Sequence, residues 1–365
     1  MKKWTLLLVA SLLVGSAAAV WRYWPTDSQS VPVTLLTWRA SGKMVGSSNA
    51  NTGAFFLEEH PAGPIDLVVA NDQWSPEQAL IETQAAIRDG FQFFVTAHPS
   101  NCAVAIQHLF AGPDTLAIVT GATTPVLSGR DDYIFRIIPD TRREQRAIAR
   151  YIGDMPGRRL LVVQDEGNLA YTDPAFRTFS AELSGSGDWR IDRFKTRISE
   201  FRPEELKPVM ARDHDILYIL AGAYQPSIGH VAQLWHHLHP EEPIMLTPWA
   251  RSRPILEIAG PALDRIILPS VYPSRRENTA IDDYARRFHA RYGGPGPFFT
   301  TPHIRIAFEL LNEAFVKGHR TPEAVKQYLL KTPTHETSLM PISFDRFGDV
   351  TQTFYFMDDL KAELR

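Results

Sequence analysis

The sequence predicts an α/β protein built as two doubly wound parallel-sheet lobes with a cleft between them, and three observations predict it. The chain has 365 residues, more than a single hydrophobic core usually organises, so two compact units are expected. Short apolar runs alternate with segments of helical periodicity, the pattern of βα units around a parallel sheet. That alternation starts afresh near Arg159, as a second unit requires.

Each element has its own local reason. Residues 32–38, 65–70, 91–97 and 114–120 are apolar runs of strand length and form the first set of strands. Ser75-Pro76-Glu77-Gln78 supplies an N-cap, a proline at the first helical position and a capping-box partner. Thr141-Arg142-Arg143-Glu144 reads as a second capping box. Residues 159–164, 189–194, 215–222, 243–247 and 265–268 form the second set of strands, with helices starting near Asp173-Pro174 and Gln225. Helices over 278–292, 302–317 and 321–330 and a closing strand over 352–357 complete the chain. In open parallel sheets ligands bind outside the carboxyl ends of the strands, so the strand exits are where functional residues are expected.

Lys2 and Lys3 precede an uncharged run over 4–20 that ends in small residues at 16–19, the layout of a secretory signal. The mature chain is therefore expected outside the cytoplasm. The same run is nearly long enough to span a bilayer, and Trp21, Tyr23 and Trp24 suit its interface, so an uncleaved anchor over residues 1–25 is the competing reading. The single cysteine, Cys102, is too distant for a lipid anchor, rules out an internal disulfide and is expected to be a small buried hydrophobe. Without the two leading lysines the formal charge falls from −3 to about −5, with no basic stripe, which argues against nucleic acid as a partner.

Catalytic and metal signals are weak. His236, His237 and His239 cluster near a helix end, but adjacent helical residues face different ways and a metal needs a further ligand in register. No metal and no cofactor is expected. No G-x-S-x-G elbow, phosphate loop or H-E-x-x-H stands in the chain. His98 and Ser100 are close in sequence, but a hydrolase also needs an oriented base and an oxyanion hole.

A family resemblance enters through motifs in collinear order: NTGAFFLEE at 51–59, ANDQWSPEQAL at 70–80, TAHPSNCA at 96–103, TGATTPVLS at 120–128, IFRIIPDTRREQ at 134–145, AGAYQPSIG at 221–229 and FDRFGDV at 344–350. Together they resemble the leucine/isoleucine/valine-binding proteins, type I periplasmic binding proteins that feed ABC transporters, over about residues 31–357. The resemblance implies a three-stranded hinge, with lobe one at 31–141 and 271–335 and lobe two at 142–270 and 336–365. The first helix region, 51–65, is shorter than is usual in the family.

The resemblance also implies a set of ligand-binding residues. Ser100 matches the serine that holds the ligand's carboxylate, and by position alone it is either an anion donor at a helix start or a plain N-cap. Gly121 offers a carbonyl, or is simply a turn glycine, and Thr123 offers a hydroxyl and an amide. Tyr171, in a loop before the Asp173-Pro174 helix start, and Tyr224, at a strand exit, match aromatics that close over the ligand; packing tyrosines are the plain alternative.

Trp249 is the informative departure. Relatives that bind amino acids have a P-E-G loop whose glutamate pairs with the ligand's ammonium, whereas this chain has Pro248-Trp249-Ala250. An unpaired buried ammonium is costly. Three readings follow: a carboxylic acid without an amino group, a quaternary ammonium held by cation–π contacts, or a substitute carboxylate such as Glu166 or Asp173. Arg251 and Arg253 follow closely and could reach an anionic group, with a solvated basic loop as the plain alternative. The function implied is capture of a small amino-acid-like or carboxylate ligand by a monomer and its delivery to an ABC permease. A ligand sensor reporting to a membrane receptor and a cleft hydrolase are the alternatives.

Overall fold

A computed structural model describes residues 30–38, 44–222, 225–293 and 301–364. The expected signal or anchor over residues 1–25 lies outside them, and among the described residues no helix is long and apolar enough to cross a membrane.

The first sheet holds β1 (Val31–Thr37), β2 (Ile65–Asn71), β3 (Phe93–Thr96), β4 (Leu116–Val119) and β5 (Ile134–Arg136), all parallel, in the order β2-β1-β3-β4-β5. Its connecting helices are α1 (Met44–Glu59), α2 (Pro76–Arg88) and α3 (Ser100–Ile106). The second sheet holds β6 (Arg159–Asp165), β7 (Arg190–Thr196), β8 (Ile216–Leu220), β9 (Ile244–Met245) and β10 (Ile266–Ser270), in the order β7-β6-β8-β9-β10. Helices α4 (Thr141–Gly153), α5 (Leu169–Ser184), α6 (Pro203–Met210), α7 (Ser227–Leu238) and α8 (Arg253–Ala259) surround it. The chain then returns to the first sheet as α9 (Thr279–Tyr292), α10 (Thr301–Val316) and α11 (Pro322–Lys331). It ends with β11 (Tyr355–Met357), antiparallel on β10.

Helices on both faces explain why the strands read as continuous apolar runs and not as alternating ones. In the first lobe Val33, Leu35, Val95 and Ile118 pack towards α1, α9 and α10, while Leu36, Phe94 and Val119 pack towards α2 and α3. In the second, Leu161 and Val163 face α6 to α8 and Leu160 and Val162 face α4 and α5. The fold is the predicted one, two doubly wound lobes linked by three crossovers: after β5, after β10 and before β11. Leu339, Met340, Ile342 and Val350 pack in the first lobe's core, so the last crossover falls near residue 351 and not at 336.

Local expectations are partly revised. Ser75 caps α2 by accepting from the Gln78 amide, while the Gln78 side chain turns to Glu82 instead of closing the box. The second expected box is not formed. Asp140 caps α4 by accepting from Arg143 N at 2.9 Å, because the Thr141 hydroxyl is drawn to Thr123 and Glu144 points inward. Tyr171 stands in the first turn of α5, which begins at Leu169 ahead of Asp173-Pro174. Arg251 is not solvated. It is 4% exposed and bonds Glu363 at 2.9 Å, together with the carbonyls of Tyr272 and Pro273. Arg253 does follow expectation in being partly exposed, paired with Glu257.

Candidate functional site

Each sheet has one switch point, where consecutive connections leave in opposite directions and a crevice opens at the carboxyl ends. In the first lobe it lies between β1 and β3, and in the second between β6 and β8.

At the first switch point Ser100 opens α3 and is half-buried. Its Oγ accepts from the Thr124 amide at 3.2 Å, tying the exit of β3 to that of β4 and leaving the hydroxyl proton to be donated. Gly121 is a glycine of close approach: a Cβ there would stand 3.1 Å from the His98 carbonyl. Thr123 is buried, and the Thr141 hydroxyl donates to its Oγ1 at 3.0 Å. The fold therefore brings Ser100, Gly121 and Thr123 to adjacent exits. Buried Arg136 supports this loop from beneath, donating to Thr124 O at 2.9 Å, Ser128 Oγ at 2.6 Å and Asp349 Oδ1 at 2.7 Å. The distant motifs at 134–145 and 344–350 thus meet in one ion pair between buried Arg136 and partly buried Asp349.

Beside them lies a pair that sequence reasoning missed. His98 Nδ1 donates to Asp72 Oδ2 at 2.7 Å with both side chains fully buried, and His98 Nε2 has no hydrogen-bond partner among the described residues. The other Asp72 oxygen accepts from the Trp74 amide at 3.0 Å. Cys102, next to this pair, is buried, and burial together with the Asp72 charge pushes its thiol up to about 12.

At the second switch point Asp165 holds the loops together, accepting from Gly167 N and Ile198 N and from Gln225 Nε2 at 2.7 Å. Tyr171 lies directly over Gly222. Its hydroxyl donates to Glu144 on α4, and Tyr218 donates to the neighbouring Gln145 at 2.9 Å. Burial raises the Glu144 carboxyl to about 7, against the lowering effect of the bonds from Tyr171 and Gln145. The same burial, with Glu144 adjacent, holds the Tyr171 phenol well above its ordinary value.

Trp249, in the 3₁₀ turn Pro248–Ala250, meets Tyr171 edge-on with ring centres 6.4 Å apart. It packs against the cores of both lobes. Tyr224 lies outside the described residues. Of the two expected substitute carboxylates, Glu166 is exposed, and Asp173 is drawn to Gln164, Lys195 and Arg193, which hold it at about 2. The carboxyl under Tyr171 is Glu144, hidden from sequence reasoning because its spacing imitates a capping box.

Both lobes also line a cavity of about 200 Å³ beside the hinge, between Arg251, Ser252 and Leu256 on one side and Tyr284 and His289 on the other. Ser100, Gly121, Thr123, Tyr171 and Trp249 do not line it. Strand topology favours the exits over this cavity as the main site, since loops converge at the exits. Among the described residues no group of three or more His, Cys, Asp or Glu is placed to hold a metal.

Comparison with known proteins agrees with this architecture. The Leu/Ile/Val-binding protein homolog 2 of Brucella abortus is 22% identical over 309 residues, covering 80% of this chain and 78% of that protein. A leucine binding protein from Thermotoga maritima superposes with TM-score 0.73 at 18% identity, covering 90% of this chain and 97% of that one. A solute binding protein of an ABC transporter from Rhodopseudomonas palustris, in complex with 3,4-dihydroxy benzoic acid, superposes with TM-score 0.77 at 17% identity, covering 90% and 92%. Residues 62–361, from the approach to β2 to the C-terminal turn, match the periplasmic binding protein family, and with two lobes hinged by three crossovers the chain belongs to that family.

Proposed function

We propose that this protein is the extracytoplasmic solute-binding component of an ABC transporter and that its ligand is a small carboxylate without a primary ammonium group. The observation that carries the ligand class is Trp249, an aromatic packed against the cores of both lobes where amino-acid-binding relatives present a glutamate. Asp173, on the same helix as Tyr171, is engaged in ion pairs, and Glu144, bonded by Tyr171, is raised by burial to about 7, so that it is largely protonated below neutral pH. A buried ammonium would lack a dependable counter-charge. The dihydroxybenzoate complex of the Rhodopseudomonas palustris protein supports a ring acid as one such ligand.

In this reading Ser100 donates its hydroxyl proton to the carboxylate, Gly121 and Thr123 line the neighbouring exit, and Tyr171, Tyr224 and Trp249 close from the second lobe. Lobe one comprises 31–141 and 271–350, and lobe two 142–270 and 351–365. Closure replaces the ligand's water by these fixed groups and presents an altered surface to a membrane permease. Residues 1–25 act as the export signal, and the mature protein works as a monomer.

The test is a thermal-shift panel of amino acids, aromatic and branched carboxylates and betaines. A ligand at a hundred times its dissociation constant stabilises by about 2.7 kcal/mol. Carboxylates without an ammonium are expected to shift the transition, and Trp249→Ala to weaken them about tenfold or more. Micromolar binding of leucine would overturn the ligand class.

A further inference from the structure

We infer that Trp38 and Trp74 form a stacking surface on the first lobe that selects ligands carrying an aromatic ring, a reading that rests on the cleft being a carboxylate site. Trp38 follows β1 directly, and Trp74 lies in the turn after β2. The Trp74 indole N–H crosses to the carbonyl of Ala97, just beyond β3, at 3.1 Å. The two indoles lie with centres 5.5 Å apart and planes at 50°. They therefore cover the carboxyl ends of β1 and β3, the pair of strands that defines the switch point, and both remain half-buried.

This placement is held against a local cost. Gln73 and Trp74 have φ of +52° and +53°, a left-handed conformation that is uncommon for side chains other than glycine, asparagine and aspartate. Such strain persists where surrounding contacts over-determine it. Here they do: Asp72 accepts from the Trp74 amide and is itself gripped by buried His98, and Ser75 N donates to Asp72 O at 2.9 Å. An extended turn would avoid the strain but would carry the indole away from Ala97. With Trp249 and Tyr171 on the second lobe, a planar ring entering between the lobes meets aromatic faces on both, and Ser100 lies at the exit of the same strand β3 to receive its carboxylate.

The experiment is titration calorimetry of the whole protein with benzoate and 3,4-dihydroxybenzoate, each paired with its saturated cyclohexane counterpart. The unaltered protein is expected to prefer the aromatic member by about tenfold, the scale of a stacked ring contact. Trp74→Leu is expected to abolish that preference while leaving the saturated acids within about threefold, and Trp74→Phe, which keeps a ring, to retain most of it. Far-ultraviolet circular dichroism and the urea unfolding transition of both variants check that the fold is intact. Equal binding of the paired acids, or equal weakening of both by Trp74→Leu, would overturn the stacking surface and leave the carboxylate reading standing. Binding of neither acid while leucine binds would overturn both.

Discussion

Tyr171 on α5 donates its phenolic proton to Glu144 on α4, beneath the ring of Trp249. The aromatic wall of the second lobe is therefore seated on a buried acid, and its position depends on the state of that acid. Three predictions follow the parts of this wall and its attachment to the hinge.

Burial raises Glu144 from 4.5 to about 7, so between these values the folded protein binds more protons than the unfolded chain. Stability is then greatest below pH 4.5 as far as this group is concerned, and declines as pH rises towards 7. The expected decline is on the order of 3 kcal/mol. Glu144→Gln keeps an acceptor for Tyr171 and cannot ionise. Urea unfolding at pH 5 and pH 8 is expected to give near-equal stabilities for this variant, once other groups are subtracted by comparison with the unaltered protein. A slope unchanged by the substitution would mean that Glu144 does not titrate in this range.

Gly222 has no room for a side chain. A Cβ would fall within the Tyr171 ring, 2.9 Å from its Cγ, and 3.0 Å from the amide nitrogen of Asn168, which donates to Gly222 O. Because the Tyr171 hydroxyl is fixed by Glu144, the ring has little freedom to yield. Gly222→Ala is expected to cost about 1–3 kcal/mol and to reduce ligand affinity, whereas Tyr171→Phe with Gly222→Ala should recover part of the stability. Calorimetry and ligand titration on the single and double variants measure both.

Arg251 joins the loop bearing Trp249 to the hinge. Its guanidinium reaches Ser270 Oγ, the carbonyls of Tyr272 and Pro273, and Glu363, with Arg251 4% and Glu363 7% exposed. Arg251→Ala leaves a buried carboxylate without its partner, which is expected to cost about 3–5 kcal/mol. Glu363→Gln added to it should restore a good part. If the single variant unfolds within 1 kcal/mol of the unaltered protein, on the scale of exposed pairs, the pair is not buried in solution.

Much of the fold was legible because parallel strands covered on both faces must be apolar throughout, and runs such as 159–164 and 215–222 announce themselves without any knowledge of their neighbours. Strand β5 was not, since three residues within Ile134–Arg136 carry no periodicity of their own. The strand exits that carry Ser100, Gly121 and Thr123 were legible because exits follow from strand ends, whereas their binding roles came from the family resemblance. Glu144 was read as a cap, because the same spacing serves both a helix start and an inward-facing acid, and only the approach of α5 distinguishes them. Arg251 was read as solvated for the same kind of reason: its acceptors come from residues 270–273 and 363.

What the sequence determined by itself is the succession of elements, their grouping into two α/β units and the set of exits where a ligand can bind, all properties carried by residues within one turn or one strand of each other. What only the tertiary structure decided is which side chains meet there: Asp72 with His98, Arg136 with Asp349, Tyr171 with Glu144, and Trp74 with the end of β3. These partners stand between 26 and 213 residues apart in the three pairs of charged or phenolic groups, and their pairing is driven by the cost of leaving a polar group unpaired once the sheets have buried it.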